Sequence, residues 1–275
     1  MKKEPNKHSC APKHSLGQNF ITDESLLKSL VLLSGVGKED SVFEIGPGNG
    51  GMTAELALAC RQVTALEIDG DLIPYLKAAL IRFDNVKIEK GDVMRVNLNE
   101  LTKPLGPFHV VANLPYYLTT PLLNMLVSSN LPILSMNVML QLEAAQKICS
   151  VPGDEGYGPL AIRIQWYYAP LIALTVPAQM FTPPPKVDSA FVTMKKRTEP
   201  LCRVEDEKMF LQVVAAAFSM RRKTLLNNLM NSFRLPRETA SEILTQSGLS
   251  QTCRAEEVSI ARFACLSDHI LEKCE

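Results

Sequence analysis

The stretch VFEIGPGNGG sets Gly46, Gly48 and Gly51 directly after a strand-like run and before a helix-like one. A backbone loop of this spacing lets a strand end approach an adenosine-bearing cofactor closely, and dinucleotides and other adenosine cofactors use it alike. Two neighbours tilt the choice. Pro47 removes one backbone N–H from a loop that would otherwise cradle a pyrophosphate. Glu44 adds a negative charge that a diphosphate would not welcome but that suits a cofactor carrying a sulfonium and an ammonium group.

Two further carboxylates follow at strand ends. Glu67 closes VTALEID about 20 residues beyond the loop, where an acid accepts hydrogen bonds from both ribose hydroxyls. Asp92 in EKGDVM is placed to accept from an adenine amine. Each alone reads equally well as a cap on the next turn. The glycine loop, Glu67 and Asp92 at three successive strand ends favour a ligand site, because ligands of open α/β sheets lie beyond the carboxyl ends of the strands. At the next strand end, VVANLPYYL puts Asn113, Leu114, Pro115, Tyr116 and Tyr117 where a strand would ordinarily pass into a helix.

These residues need a sheet to carry them. Thr22 or Asp23 can cap a helix over ESLLKSLVLLSG, and then strands and helices alternate: SVFEI, a helix from Gly50 to Cys60, VTALEI, a helix around LIPYLKAAL, VKIEK and FHVVAN. Short apolar strands alternating with helices predict βαβ units and a doubly wound α/β domain. LLNMLVSS and EAAQKICS read as helices, and LSMNVMLQ, LIALTVP and AFVTMKK as strands. The proline-rich AQMFTPPPKVDS between the last two is expected to stay out of the sheet. From about residue 198 the strand signal stops, and four apolar-periodic segments predict a small all-helical C-terminal domain. The expected domains are a flexible basic arm over 1–14, a catalytic domain over 15–197 and the helical domain over 198–275.

Composition excludes several classes. The 275 residues are 46% hydrophobic and 21% charged, ordinary for a globular chain. No apolar run approaches the roughly 20 residues of a membrane span, and the basic N-terminus has no apolar segment behind it that would make a secretory signal. Seven cysteines without a CxxC pair argue against a disulfide framework and a zinc site, so a reducing cytoplasm is expected. The formal net charge is zero, and the basic residues that could meet nucleic acid are local: the N-terminal lysines and Arg221, Arg222 and Lys223 in MRRKTL. A three-residue cluster of this kind is by itself more often a solvated face.

In order along the chain, GQNFI, EIGPGNGGMT, GDVM, NLPYYLTTPLL, FTPPPKVDSA and FSMRRKTLLNNL resemble the KsgA-type ribosomal RNA adenine dimethyltransferases. The resemblance runs from about Leu16 to the AEEVS near residue 258. It implies a Rossmann-like S-adenosylmethionine-dependent methyltransferase sheet with the helical domain appended. It also implies N6,N6-dimethylation of two adjacent adenosines in the 3′-terminal hairpin of small-subunit (16S) rRNA, within the assembling 30S subunit. Carried over by position, Asn19, Ile21, Gly46, Gly48, Glu67, Asp92 and Asn113 would hold the cofactor, with no metal and no membrane involved and a monomer expected. The family usually has leucine where Ile21 stands, and GNGG is richer in glycine than many members.

For such a reaction the NLPY residues acquire roles. An adenine amine is a weak nucleophile because its lone pair is delocalised into the ring. The Asn113 side-chain oxygen and the Leu114 carbonyl could each accept one N–H, turn the lone pair toward the methyl donor and stabilise the charge that develops on nitrogen. Pro115 would hold Leu114 extended and offer no competing donor. Tyr116 would stack an extruded base, with Phe181 covering its other face and Tyr117 left to packing. Arg221, Arg222 and Lys223 would contact RNA phosphates. Three alternatives remain at this stage: a nucleotide-dependent dehydrogenase, a resistance-type methyltransferase of large-subunit RNA, and an assembly or transcription factor that keeps the fold without turnover.

Overall fold

The computed structural model describes residues 17–113 and 115–274; the basic arm over 1–14 and Leu114 lie outside them. The chain packs as two compact units. One runs to Leu142 and resumes over Leu171–Lys195; the other comprises Glu143–Pro170 and the chain from Lys196 on.

The first unit opens with strand β1 (Phe20–Ile21) and helix α1 (Glu24–Ser34). Of the two expected caps Asp23 is the one used: its Oδ1 accepts from Leu26 N at 2.8 Å, and Gly35 at φ 70° ends the helix. There follow β2 (Ser41–Ile45), α2 (Gly51–Ala59), β3 (Gln62–Glu67), α3 (Ile73–Ala79), β4 (Val86–Lys90), the short α4 (Leu98–Thr102), β5 (Phe108–Asn113), α5 (Thr119–Val127) and β6 (Ile133–Gln141). With β7 (Tyr168–Val176) and β9 (Ser189–Lys196) these strands make a seven-stranded sheet in the order β4-β3-β2-β5-β6-β9-β7. The first five are mutually parallel, and β9 runs antiparallel to β6.

All five residues of β2 are buried, as a parallel strand covered on both faces requires, whereas edge strand β4 has no buried residue. The chain leaves β2 toward β3 and β4 on one side and returns to β5 on the other. The glycine loop therefore emerges at the point where strand order reverses, the place where open α/β sheets form a crevice.

The proline-rich loop stays out of the large sheet, but not entirely out of strand pairing. Its Phe181–Thr182, β8, pairs antiparallel with β1, Ile21 opposite Phe181.

The second unit is helical: α6 (Leu142–Cys149) beyond its first residue, α7 (Pro159–Tyr167), α8 (Glu207–Ala217), α9 (Leu225–Phe233), α10 (Arg237–Gln246) and α11 (Ile260–Cys274). It differs from the expected contiguous domain over 198–275, because residues 143–170 belong to it as well. The cause is burial. Ala161, Ile162 and Trp166 of α7 share one core with Phe210, Leu229 and Phe263, and the Trp166 and Phe210 rings stack at 4.0 Å. Gly153 N donates to Glu256 O at 2.8 Å and Tyr157 Oη to Val258 O at 3.1 Å. No helix of the described residues is long and apolar enough to cross a membrane.

Candidate active site

Beyond the carboxyl ends of β2, β3, β4 and β5, within the first unit, lies a cavity of about 200 Å³. Its wall includes the expected Asn19, Ile21, Gly46, Gly48, Glu67, Asp92, Asn113, Pro115 and Tyr116. Glu44 joins Glu67 and Asp92 there, and no lysine, arginine or histidine is among the described lining residues.

The glycine loop needs its glycines. Gly46 sits at φ 73° and donates its N–H to Leu66 O at 3.0 Å, tying the loop to β3. Gly48 sits at φ 57°, and a Cβ there would stand 2.8 Å from the Phe20 ring. Gly48 N donates to Glu67 Oε2 at 3.1 Å, while Asp69 N donates to Oε1 at 2.8 Å. The Glu67 carboxylate is thus clamped at both oxygens, each keeping acceptor capacity for a further donor. It is almost fully buried, and burial raises its pKa against the opposing pull of these N–H groups.

Glu44 is buried more completely, and desolvation pushes its pKa up to about 8. The Glu67 charge adds to this shift, and the neighbouring Thr53 hydroxyl of α2 opposes it without reaching hydrogen-bonding geometry. Neither Glu44 Oε2 nor Thr53 Oγ1 has a partner within hydrogen-bonding geometry. A buried acceptor left over on a cavity wall is costly unless a ligand donor completes it.

Asp92 combines the two readings weighed above. Its Oδ1 caps the following turn by accepting from Met94 N at 2.9 Å, and Oδ2 meets the exposed Arg95 at 3.3 Å; the residue nevertheless lines the cavity beside Val93 and Ile68. The wall therefore offers three carboxylates, apolar surface and a proline-interrupted loop. It fits a cationic adenosine derivative and is poor for a diphosphate.

Asn113 closes β5. Its Nδ2 donates to Asn19 O at 2.9 Å, which leaves the amide oxygen as the group to offer a ligand donor. Leu114, expected to contribute a carbonyl, lies outside the described residues. Tyr116 stands in a 3-10 turn over Tyr116–Leu118, half-buried, with its Oη 2.9 Å from Ser189 Oγ. Burial raises the phenol pKa.

Two aromatic assignments differ from expectation. Tyr117, assigned to packing, is 65% exposed and lines the cavity. Phe181, expected as a second stacking face, is 3% exposed in a core with Ile21, Leu27 and Phe191, so its ring is committed to holding β8 against β1 and α1.

Arg221, Arg222 and Lys223 occupy an exposed turn in the second unit rather than the first turn of a helix; Thr224 is the N-cap of α9. The buried Asn228 amide shapes that turn, donating to Ala217 O at 2.5 Å and Met220 O at 3.3 Å. Sequence reasoning gave no role to Gln18, whose Nε2 donates to Asp69 Oδ2 at 3.2 Å, although GQNFI and VTALEID contain these residues. It also gave no role to Ser189, although FTPPPKVDSA contains it.

A sequence model of the ribosomal RNA adenine dimethylase family matches residues 11–271. The Ribosomal RNA small subunit methyltransferase A of Streptococcus sanguinis is 42% identical over 269 residues, 95% of this chain and 93% of that protein. The protein of the same name from Listeria monocytogenes is 42% identical over 266 residues, 94% of this chain and 90% of its own length. Among solved structures, the 23S rRNA methyltransferase ErmE superposes with a TM-score of 0.74 at 25% identity, over 91% of this chain and 99% of that one. A dimethyladenosine transferase from Plasmodium falciparum, at 21% identity, shares the fold with a TM-score of 0.76, over 90% of this chain and 95% of that one. With the glycine loop, the acidic strand ends and the Asn113–Tyr116 corner gathered on one cavity, and the family match spanning both units, the chain belongs to the ribosomal RNA adenine dimethylase family.

Proposed function

We propose that the protein dimethylates N6 of two adjacent adenosines in the 3′-terminal hairpin of small-subunit rRNA, acting as a monomer in the cytoplasm on the assembling small subunit. The observation that carries this reading is that Asn113, Pro115 and Tyr116 line the same cavity as Glu44, Glu67 and Asp92. The names of the 42%-identical relatives favour the small subunit over the large-subunit RNA in the ErmE name.

The cofactor is S-adenosylmethionine, which when bound supplies an electrophilic methyl group on a sulfonium. Glu67 would hold its ribose, Asp92 with Ile68 and Val93 its adenine, and Gly46, Asn19 and Ile21 its methionine portion. Gly48 contributes by fixing Glu67. Glu44, when ionised, would supply negative charge toward the cationic part.

Catalysis is positioning and electrostatics. Asn113, its Nδ2 engaged by Asn19 O, presents Oδ1 to one N–H of the target amine. The Leu114 carbonyl, next in sequence to Pro115, would take the other. Together they aim the nitrogen lone pair and stabilise its developing positive charge. Tyr116 stacks the extruded base, a contact of about 1–3 kcal/mol. The methylated ammonium then loses its proton to water, so no general base is needed. Arg221, Arg222 and Lys223 orient the RNA by its phosphates.

The test is incubation with S-adenosylmethionine and unmethylated small subunits, with large-subunit RNA in parallel, followed by mass spectrometry of the RNA. Two methyl groups on each of two adjacent adenosines near the small-subunit 3′ end are expected. Methylation at any other place overturns the assignment.

A further inference from the structure

We propose that Ser189 is a positioning residue for this reaction: its buried hydroxyl tethers the phenol of Tyr116, so that the tyrosine presents a fixed ring face and not a hydrogen-bonding group to the target base. The inference rests on the reading of Tyr116 as the stacking residue.

The two oxygens are 2.9 Å apart although 73 positions separate the residues. The two ends of the contact differ in rigidity. Ser189 is fully buried at the start of β9, in register opposite Gln141 of β6, and Leu142 N donates to Asp188 O at 3.0 Å beside it. Its backbone is held by the sheet, and full burial confines its hydroxyl. Tyr116, by contrast, begins a single turn that has no buried residue and no side-chain cap. The turn fixes the ring at its Cβ end and Ser189 at its hydroxyl end. A side chain held at both ends needs no ordering when the base arrives. A second consequence concerns selectivity. With its hydroxyl engaged by the protein, Tyr116 contributes a π-face that any base would satisfy, and adenine must be chosen by the acceptors at Asn113 and Leu114.

Ser189→Ala, Ser189→Thr, Tyr116→Phe and the double variant Ser189→Ala/Tyr116→Phe, all in the full chain, test this. Ser189→Ala and Tyr116→Phe are each expected to lower kcat/KM on small subunits about five- to tenfold, the double variant no further than either, and Ser189→Thr to restore most of the loss. Calorimetric affinity for S-adenosylhomocysteine should not change in any of them. In NMR of labelled tyrosine, the Tyr116 side chain should hold one χ1 rotamer in the wild type and average between rotamers in Ser189→Ala. Wild-type kinetics in Ser189→Ala, or single losses that multiply in the double variant, overturn the proposal. So does a Tyr116 side chain whose χ1 averaging is the same with and without the serine hydroxyl. If the wild-type protein methylates no small subunit, the substrate reading falls, and the χ1 averaging by itself still decides the tether.

Discussion

The side-chain amide of Asn113 donates to the backbone carbonyl of Asn19, 94 positions earlier, at 2.9 Å. This bond decides which end of the amide is left for substrate, and it joins the end of β5 to the segment that also carries β1. Asn113→Ala removes the acceptor and is expected to lower kcat about 10²- to 10³-fold, the usual loss for a group aimed at transition-state charge. Asn113→Asp should do no better, because a carboxylate has no donor for Asn19 O. Single-turnover methyl transfer, with cofactor affinity measured separately, checks both; a variant that keeps wild-type kcat removes Asn113 from the reaction.

Glu44 makes the ligand-free protein pH-sensitive. Its carboxyl titrates near 8 when folded, against an ordinary 4.5. Between these values the folded state holds a proton that the unfolded state has released, so this group stabilises the fold below about pH 4.5, and that stabilisation is lost as pH rises toward 8. The slope is at most about 1.4 kcal/mol per pH unit for one proton. Glu67 is shifted in the same direction by burial, while the half-buried His109 is shifted down and costs stability on the acid side. The informative quantity is therefore the unfolding free energy of wild type minus that of Glu44→Gln from pH 5 to 8, which should fall steadily with rising pH. Cofactor affinity of the wild type should rise over the same interval, since only the ionised carboxylate attracts a cation.

Gly48→Ala places a methyl group 2.8 Å from the Phe20 ring at a backbone φ of 57°. The backbone cost alone is about 1–2 kcal/mol. Because Gly48 N also holds Glu67, weaker binding of S-adenosylhomocysteine, by roughly tenfold, is expected from the same displacement. Gly35→Ala is the control: φ is 70° there, and no heavy atom lies within 4 Å of the added carbon. It should destabilise the fold and leave binding unchanged.

Replacing Arg221 and Arg222 together by alanine is expected to weaken small-subunit binding and reduce its log–log salt slope by roughly 1.5. Both side chains are exposed in a turn held by Asn228, so unfolding temperature should change little. Unchanged affinity and slope would return this cluster to an ordinary solvated surface.

The sequence by itself determined the alternation of strands and helices in the first unit and the residues at the strand ends, because those signals are local. Burial on two faces writes an apolar run, a positive φ selects glycine, and a carboxylate after a strand is visible within a few positions. Hence Gly46, Glu67, Asp92 and Asn113 could be named before any contact was known. What the tertiary structure decided are meetings between distant segments. Periodicity reports that a side chain is buried but not against what. Residues 143–170 were therefore expected within the catalytic domain although Ala161, Ile162 and Trp166 pack in the helical unit, and Phe181 looked available although Ile21 and Phe191 enclose it. The same reason separates the two tyrosines. Tyr116 and Tyr117 are adjacent and chemically identical in sequence, and only the fold brings Ser189 to the hydroxyl of one while leaving the other exposed on the cavity wall.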